Sequence, residues 1–322
     1  MTTPLCAVVL ATYNRREVMV RCLEHLGAQT VGPETIEVIV VDDESPDDTV
    51  EVLRARHEEF AQFTVLEQPN SGPGAARNLG MEHVTAPITL FINDDTLLAP
   101  RAIEEHLLAH AQHPMSMVLG TFVFVPEFLH QPLGRLLTEV PLLFSYPLFE
   151  DGDRLSASMG ATCNLSVDSE AAKEVGFDPW FNFPAVEDVD FSLRLGELGY
   201  QLRYHEAAEA EHDHHLTVPG IMATSLIRGL GTSRLELKRG PTMEFLTEVK
   251  LASTDRDELA RLFEESGETL EAGLLSATNG APIPESAYEA VSKLFKLGNL
   301  LGSLDEPLIL EAVAQSELVM TR

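Results

Sequence analysis

The stretch Ile88–Thr96, ITLFINDDT, is an apolar run that stops on two adjacent aspartates, Asp94 and Asp95. A run of this length reads as a buried strand. Neighbouring carboxylates at its end repel each other unless a cation or hydrogen-bond donors meet them. What those two carboxylates face is the question around which the rest of the sequence arranges itself.

Three similar runs precede it: Cys6 to Ala11, Ile36 to Val41 and Phe63 to Leu66, each followed by a turn and a helix-like stretch. After the first, Asn14 reads as an N-cap ahead of Val18, Cys22, Leu23 and Leu26 at helical spacing. After the second, Ser45-Pro46-Asp47-Asp48 reads as a cap, a first-turn proline and an acidic first turn. Strands alternating with helices predict an α/β fold with a mixed, mainly parallel central sheet and helices on both faces. Ligands of such sheets bind beyond the carboxyl ends of the strands. The polar residues at those ends are Thr12-Tyr13-Asn14-Arg15, Asp42-Asp43-Glu44-Ser45, Asn70 to Gly74, and Asn93-Asp94-Asp95.

Beyond residue 100 the pattern predicts a helix at Ala102 to Gln112, strands at Met117 to Val125 and Ala161 to Val167, and a helix from Glu187 to Leu198 ended by Gly199. A strand-like Gln201 to Tyr204 follows. Val140 to Phe149, VPLLFSYPLF, reads as an irregular wall or loop. From Pro241 the composition turns helical, with amphipathic spacing over Asp257 to Leu275 and Glu285 to Leu301. The expected organisation is a catalytic domain at 1–240 and a helical C-terminal extension at 241–322 that packs on it, forms a homodimer or recruits a partner.

With 322 residues, 44% of them hydrophobic, the chain can bury a sizeable core. No apolar run reaches the roughly 18 residues that cross a bilayer, and MTTPLCAVVL lacks a signal peptide's basic start, which together predict a cytoplasmic protein with no transmembrane segment. Cys6, Cys22 and Cys163 are too scattered for a disulfide framework or a zinc ribbon and read as buried thiols. Acidic side chains number 51 against 22 basic, the net charge is -29, and no lysine precedes Lys173. Such a surface disfavours nucleic acid and anionic membranes as partners. It fits a salt-rich cytoplasm or simply the composition of the genome, and stability against KCl separates the two.

For the paired aspartates, a divalent cation with hard oxygen ligands, Mg²⁺ or Mn²⁺, would satisfy one carboxylate and share a substrate's phosphate oxygens. If the strand persists through them, the two point opposite ways, one toward a ribose hydroxyl and the other toward the metal. The plainer alternative is a solvated turn before an acidic helix start. Gly72-Pro73-Gly74-Ala75-Ala76-Arg77-Asn78 lacks the third glycine of a dinucleotide loop and follows the third strand, not the first.

In order along the chain, VVLATYNR, VIVVDDES, NSGPGAARNLG, FINDDT, GATCN and EDVDFSLRLGELGY resemble the family 2 glycosyltransferases, over roughly residues 5 to 215. The resemblance implies the GT-A (Rossmann-like) fold and transfer of a sugar from a nucleotide-sugar donor, UDP-linked by preference, to an acceptor hydroxyl by metal-assisted inverting displacement. The acceptor class stays open between a glycan, a lipid-linked sugar and a small molecule. By the same resemblance Thr12, Tyr13, Arg15, Asp42, Asp43, Gly74, Arg77, Asn93 and Asp94 line the nucleotide site. Tyr13 and Asp43 then meet the base, and Asp94 the ribose. Asp95 holds the metal with His212 or His214, and Glu187-Asp188 is the catalytic pair with Asp188 as base. FINDDT departs from the family's DxD at its first position, Asn93. That departure keeps a second reading open, a degenerate GT-A protein that binds a nucleotide or glycan without turnover. A nucleotidyltransferase would need basic residues for a triphosphate, and a first half without lysine disfavours that reading. A structural zinc site at His212 to His215 has no cysteine at zinc-finger spacing.

Overall fold

The computed structural model describes residues 3–56, 59–60, 62–140, 146–240, 256–278 and 281–304. Four β-branched runs become strands and lead into helices. β1 (Cys6–Thr12) is followed by α1 (Arg16–Gly27), β2 (Ile36–Asp42) by α2 (Thr49–Arg54), and β3 (Gln62–Glu67) by α3 (Pro73–Met81). β4 (Ile88–Ile92) turns into the short β5 (Thr96–Leu98), and α4 (Ala102–Gln112) comes next. Then come β6 (Ser116–Phe124), α5 (Pro126–Leu129), α6 (Pro132–Glu139), β7 (Arg154–Leu155), β8 (Asn164–Asp168) and α7 (Ser169–Val175). The chain closes with α8 (Glu187–Glu197), β9 (Gln201–His212), α9 (Val218–Arg239), α10 (Arg256–Ser276) and α11 (Glu285–Leu304).

The sheet runs in the order β3-β2-β1-β4-β8-β6-β9-β5, with β7 against β9. β3, β2, β1 and β4 are parallel, whereas β8 runs antiparallel to β4 and β6, and β9 antiparallel to β5 and β7. The fold is therefore the mixed α/β sheet read from the sequence. All seven positions of β2 are buried, which is why IEVIVVD reads as a continuous run and not an alternating one. Its lone internal carboxylate, Glu37, accepts the backbone N–H of Thr85 and Ala86 at 2.8 and 3.1 Å. α3 seats on β1 and β2 through Gly80, where an added Cβ would lie 2.7 Å from Val9 and 3.3 Å from Val41.

Several local expectations differ from the structure. The N-cap of α1 is Arg15; Asn14 sits before it at φ 53°, a left-handed conformation that asparagine tolerates, and its N–H donates to Ser45 Oγ at 2.8 Å. α2 begins at Thr49, three residues after Pro46, because Asp47 instead accepts from the Thr49 N–H and hydroxyl in a local turn. β8 starts at Asn164, not Ala161. β9 extends eight residues past Tyr204, its length set by pairing with both β5 and β7.

The chain divides into two compact units, the described residues of Met1–Val123 with Leu148–Asp213, and those of Phe124–Pro147 with His214–Thr321. The first holds the sheet. In the second, α9 packs along α11 through reciprocal close approaches. A Cβ on Gly229 would lie 2.1 Å from the Asn299 carbonyl oxygen, and one on Gly302 would lie 2.0 Å from that of Leu226. This packing places α9 in the second unit, whose larger segment begins at His214. Residues 241–255, where the extension was expected to begin, and 141–145 of VPLLFSYPLF lie outside the described residues.

Candidate functional site

β4 ends at Ile92, and Asn93 to Asp95 turn the chain into β5, closed by the Thr96 N–H on the Asn93 carbonyl at 3.2 Å. Because the strand does not persist, the two aspartates do not point opposite ways. Both are buried, at 5% and 3% exposure, and both face one guanidinium. Arg15 Nη1 lies 2.8 Å from Asp94 Oδ1, and its Nη2 lies 2.9 Å from Asp95 Oδ2. Thr12 donates its hydroxyl to the other Asp94 oxygen at 2.9 Å. Burial opposes the charge on Arg15, but Asp94 and Asp95 outweigh it and hold its pKa above the usual guanidinium value.

The β5–β9 register sets Thr96 opposite His212, which brings Asp95 beside a residue 117 positions away. His212 Nε2 lies 3.2 Å from Asp95 Oδ2, and its ring packs on Phe122 with centroids 4.7 Å apart. Asp95, His212 and His214 each offer a ligand atom, all within 4.8 Å of one another. His212 is thus the last residue of a strand, not part of a polar loop. One carboxylate and imidazole nitrogens form a mixed oxygen and nitrogen donor set, which fits a first-row divalent cation better than Mg²⁺ with its preference for an oxygen shell.

At the end of β2, Asp43 accepts three hydrogen bonds, from Gln68 Nε2 at 2.7 Å, Ser71 N at 2.8 Å and Gly72 N at 3.0 Å. It thereby moulds the loop that leads into α3. Asp42 accepts the Ser45 N–H through Oδ2 at 2.8 Å, and burial raises its pKa. Its Oδ1 is buried and accepts no hydrogen bond. Tyr13 is half-buried on the loop after β1.

A second cluster forms where α3 meets α8. Arg77, 5% exposed, donates to Glu187 Oε1 at 2.9 Å and to Asn93 Oδ1 at 3.2 Å, with its guanidinium 5.5 Å from the Phe177 centroid. Gly74 leaves room for this contact, since a Cβ there would lie 3.3 Å from Phe177 Cβ and 3.7 Å from Glu187 Cγ. Gly72, at φ 88°, lies so close to the Asn182 carbonyl that a Cβ would come within 2.7 Å of its oxygen. Glu187 and Asp188 open α8 behind Val186, a β-branched residue held at φ 59°. Strain of this kind persists only where the surroundings over-determine it. Burial raises the pKa of both carboxylates, and Asp188 raises Glu187 further; Arg77 pulls each back. Glu187 is committed to Arg77, while Asp188 is half-buried and is held through its side chain by the backbone of Val189 and Thr162. Asp190 is tied to Arg194 at 2.8 Å.

Sequence reading placed Arg15 in the nucleotide site but missed it as the partner of both aspartates, since the bridge depends on the turn at Asn93. Arg21 and Asp213 were also missed. Arg21 Nε donates to Asp213 Oδ2 at 2.6 Å, and the Asp213 N–H donates to the Asp95 carbonyl at 2.9 Å, bracing the strand end. Behind the turn lies Cys22, whose thiol burial and the two aspartates push well above its usual pKa. Asn164, from GATCN, donates to the Thr121 and Ala208 carbonyls at 2.9 and 2.8 Å and knits β6 and β9 to β8.

Residues 7–161 match the family described as glycosyl transferase family 2. This stretch, just under half of the chain, is similar to that family. Over 197 residues it is 32% identical to validoxylamine A glucosyltransferase of Streptomyces hygroscopicus subsp. limoneus, covering 59% of this chain and 38% of that protein. The match thus spans well under half the length of that curated relative. Mannosyltransferase PcManGT from Pyrobaculum calidifontis, solved with GDP-Man and Mn²⁺, superimposes with a TM-score of 0.56 at 18% identity, over 100% of this chain and 89% of that one. S. aureus TarS 1-349, solved with UDP, gives 0.51 at 14% identity, over 92% and 90%. At these identities the structures establish a shared GT-A fold. No described helix is long and apolar enough to cross a membrane.

Proposed function

We propose that the chain transfers a sugar from a nucleoside-diphosphate sugar, UDP-linked by preference, to an acceptor hydroxyl by inverting single displacement. The observation that carries this reading is Asp95 Oδ2 facing His212 Nε2 at 3.2 Å, at the strand ends where GT-A donors bind. Tyr13 and Asp43 would meet the base, with Asp42 in support, and Asp94 the ribose. Asp95 with His212 or His214 would hold a divalent cation, Mn²⁺ or Mg²⁺. Such a cation, when bound, supplies positive charge against the leaving diphosphate.

The protein's own part in the chemistry falls to the head of α8. Asp188 removes the acceptor hydroxyl proton as that oxygen attacks the anomeric carbon. Its raised pKa makes it a better base than an exposed aspartate, provided it is deprotonated at the working pH. Glu187 acts through its ion pair, fixing the first turn of α8 on Arg77. A cytoplasmic site of action and a glycan, lipid-linked or small-molecule acceptor complete the reading.

One observation favours the second reading, binding without turnover: the first position of the aspartate motif is Asn93, and its side chain is engaged by Arg77. Free nucleoside diphosphate distinguishes them. A panel of UDP-, GDP- and dTDP-sugars with MnCl₂ should yield it from one donor in the wild type and not in Asp188→Asn, with nucleotide affinity retained in the variant. No release from any donor overturns transfer.

A further inference from the structure

Arg15 bridges Asp94 and Asp95. Its Nη2 donates to Asp95 Oδ2, the same oxygen that faces His212 Nε2. A divalent ion held between that oxygen and that nitrogen would meet a guanidinium already seated there, 15% exposed and fixed on its other side by Asp94. Like charges at this separation, out of bulk water, oppose each other strongly. Within this trio the guanidinium also offsets one of the two carboxylate charges that would attract the ion.

We infer that Arg15 is an internal counter-ion that competes with the divalent cation for Asp95 and holds metal affinity low until a diphosphate draws the guanidinium away. The inference rests on the metal reading of Asp95 proposed above. A diphosphate arriving at the strand ends offers Arg15 a bidentate oxygen partner. Moving the guanidinium onto it exposes Asp95 Oδ2 to the metal, so donor and metal favour each other's binding. Arg15 is a positioning residue in this scheme, not a catalytic one. Its consequence is an order of events: the ion arrives with the nucleotide and not before it.

The test is calorimetric titration of MnCl₂ alone into wild type, Arg15→Gln and Arg15→Lys, repeated with UDP and with GDP. Arg15→Gln should bind Mn²⁺ alone about tenfold tighter than wild type, within the usual range of coupling between two ligands. Arg15→Lys, which keeps the charge, should stay near wild type. Thermal unfolding guards against a folding defect: Mn²⁺ should raise the Tm of Arg15→Gln more than that of the wild type, because the ion replaces a lost counter-charge. Equal or weaker Mn²⁺ binding by Arg15→Gln overturns the inference while leaving the metal reading intact. Failure of every protein to bind Mn²⁺, with or without either nucleotide, removes the metal reading and this inference with it.

Discussion

Arg77 Nη1 lies 2.9 Å from Glu187 Oε1 across 110 residues of sequence, and both side chains are buried. This pair ties the first turn of α8 to the helix that follows β3. Replacing Arg77 with Met leaves a buried carboxylate unpaired, a change that costs about 3–5 kcal/mol while that carboxylate stays charged. The same loss removes the group that lowers the pKa of Glu187 and Asp188, so both rise further. The active form is deprotonated Asp188, present above its pKa and lost as pH falls through it. The acid limb of the pH–rate profile should therefore move to higher pH in Arg77→Met and move less in Arg77→Lys. An unmoved limb contradicts the assignment.

Acid stability should be governed by a buried histidine relay behind the sheet. His106 contacts Asn164 Oδ1 at 2.9 Å and Ser166 Oγ at 2.8 Å, and His110 reaches the same hydroxyl at 2.8 Å. Burial lowers their pKa values to about 3 and about 4, from an ordinary 6.5. Between those values and 6.5 the unfolded chain binds more protons than the folded one. Their contribution is complete above pH 6.5 and is lost as pH falls toward 4, by about 1.4 kcal/mol per pH unit for each group. Urea denaturation from pH 7 to 4.5 should show this slope, and His110→Gln should remove about one proton's worth of it. An unchanged slope in the variant would assign the acid lability elsewhere.

Gly80→Ala pits two effects against each other. Alanine is the better helix former by about 1 kcal/mol. Its Cβ, however, would lie 2.7 Å from Val9 and lift α3 from β1, an overpacking cost of about 1–3 kcal/mol. Packing should win, giving a lower urea midpoint with an unchanged m-value. A raised midpoint would mean that α3 has room to shift.

Asp95→Ala separates the metal role from the base role. It should weaken nucleotide binding only when Mn²⁺ is present, whereas Asp188→Asn should leave that binding unchanged and lower transfer by orders of magnitude. Unchanged Mn²⁺ dependence in Asp95→Ala would remove this residue from the metal site.

The first four strands were legible because each is a β-branched run ended by polar turn residues; β1, β2 and β4 are largely buried, and β3 lies half-buried at the sheet edge. α9 was not. Gly220, Gly229 and Gly231, together with its serines and threonines, depress helix propensity, and the physical reason for Gly229 is the close approach of α11 that local sequence cannot reveal. The strand carrying His212 was readable in principle from the inward alternation of Leu202, Tyr204, Ala208 and Ala210, which the histidine-rich end obscured. The grip of Arg15 on both aspartates needed the turn at Asn93, and the Arg77–Glu187 pair needed the packing of two helices distant in sequence. Motif order located the site's parts; only pairing register and helix packing joined them.

The central claim is tested most directly by calorimetric titration of the protein with UDP, GDP and dTDP, each with and without Mn²⁺. The account predicts tight binding of one nucleotide, UDP by preference, only when Mn²⁺ is present. Binding of none under any condition would contradict a donor site at Asp94 and Asp95 and leave the transferase reading without its first substrate.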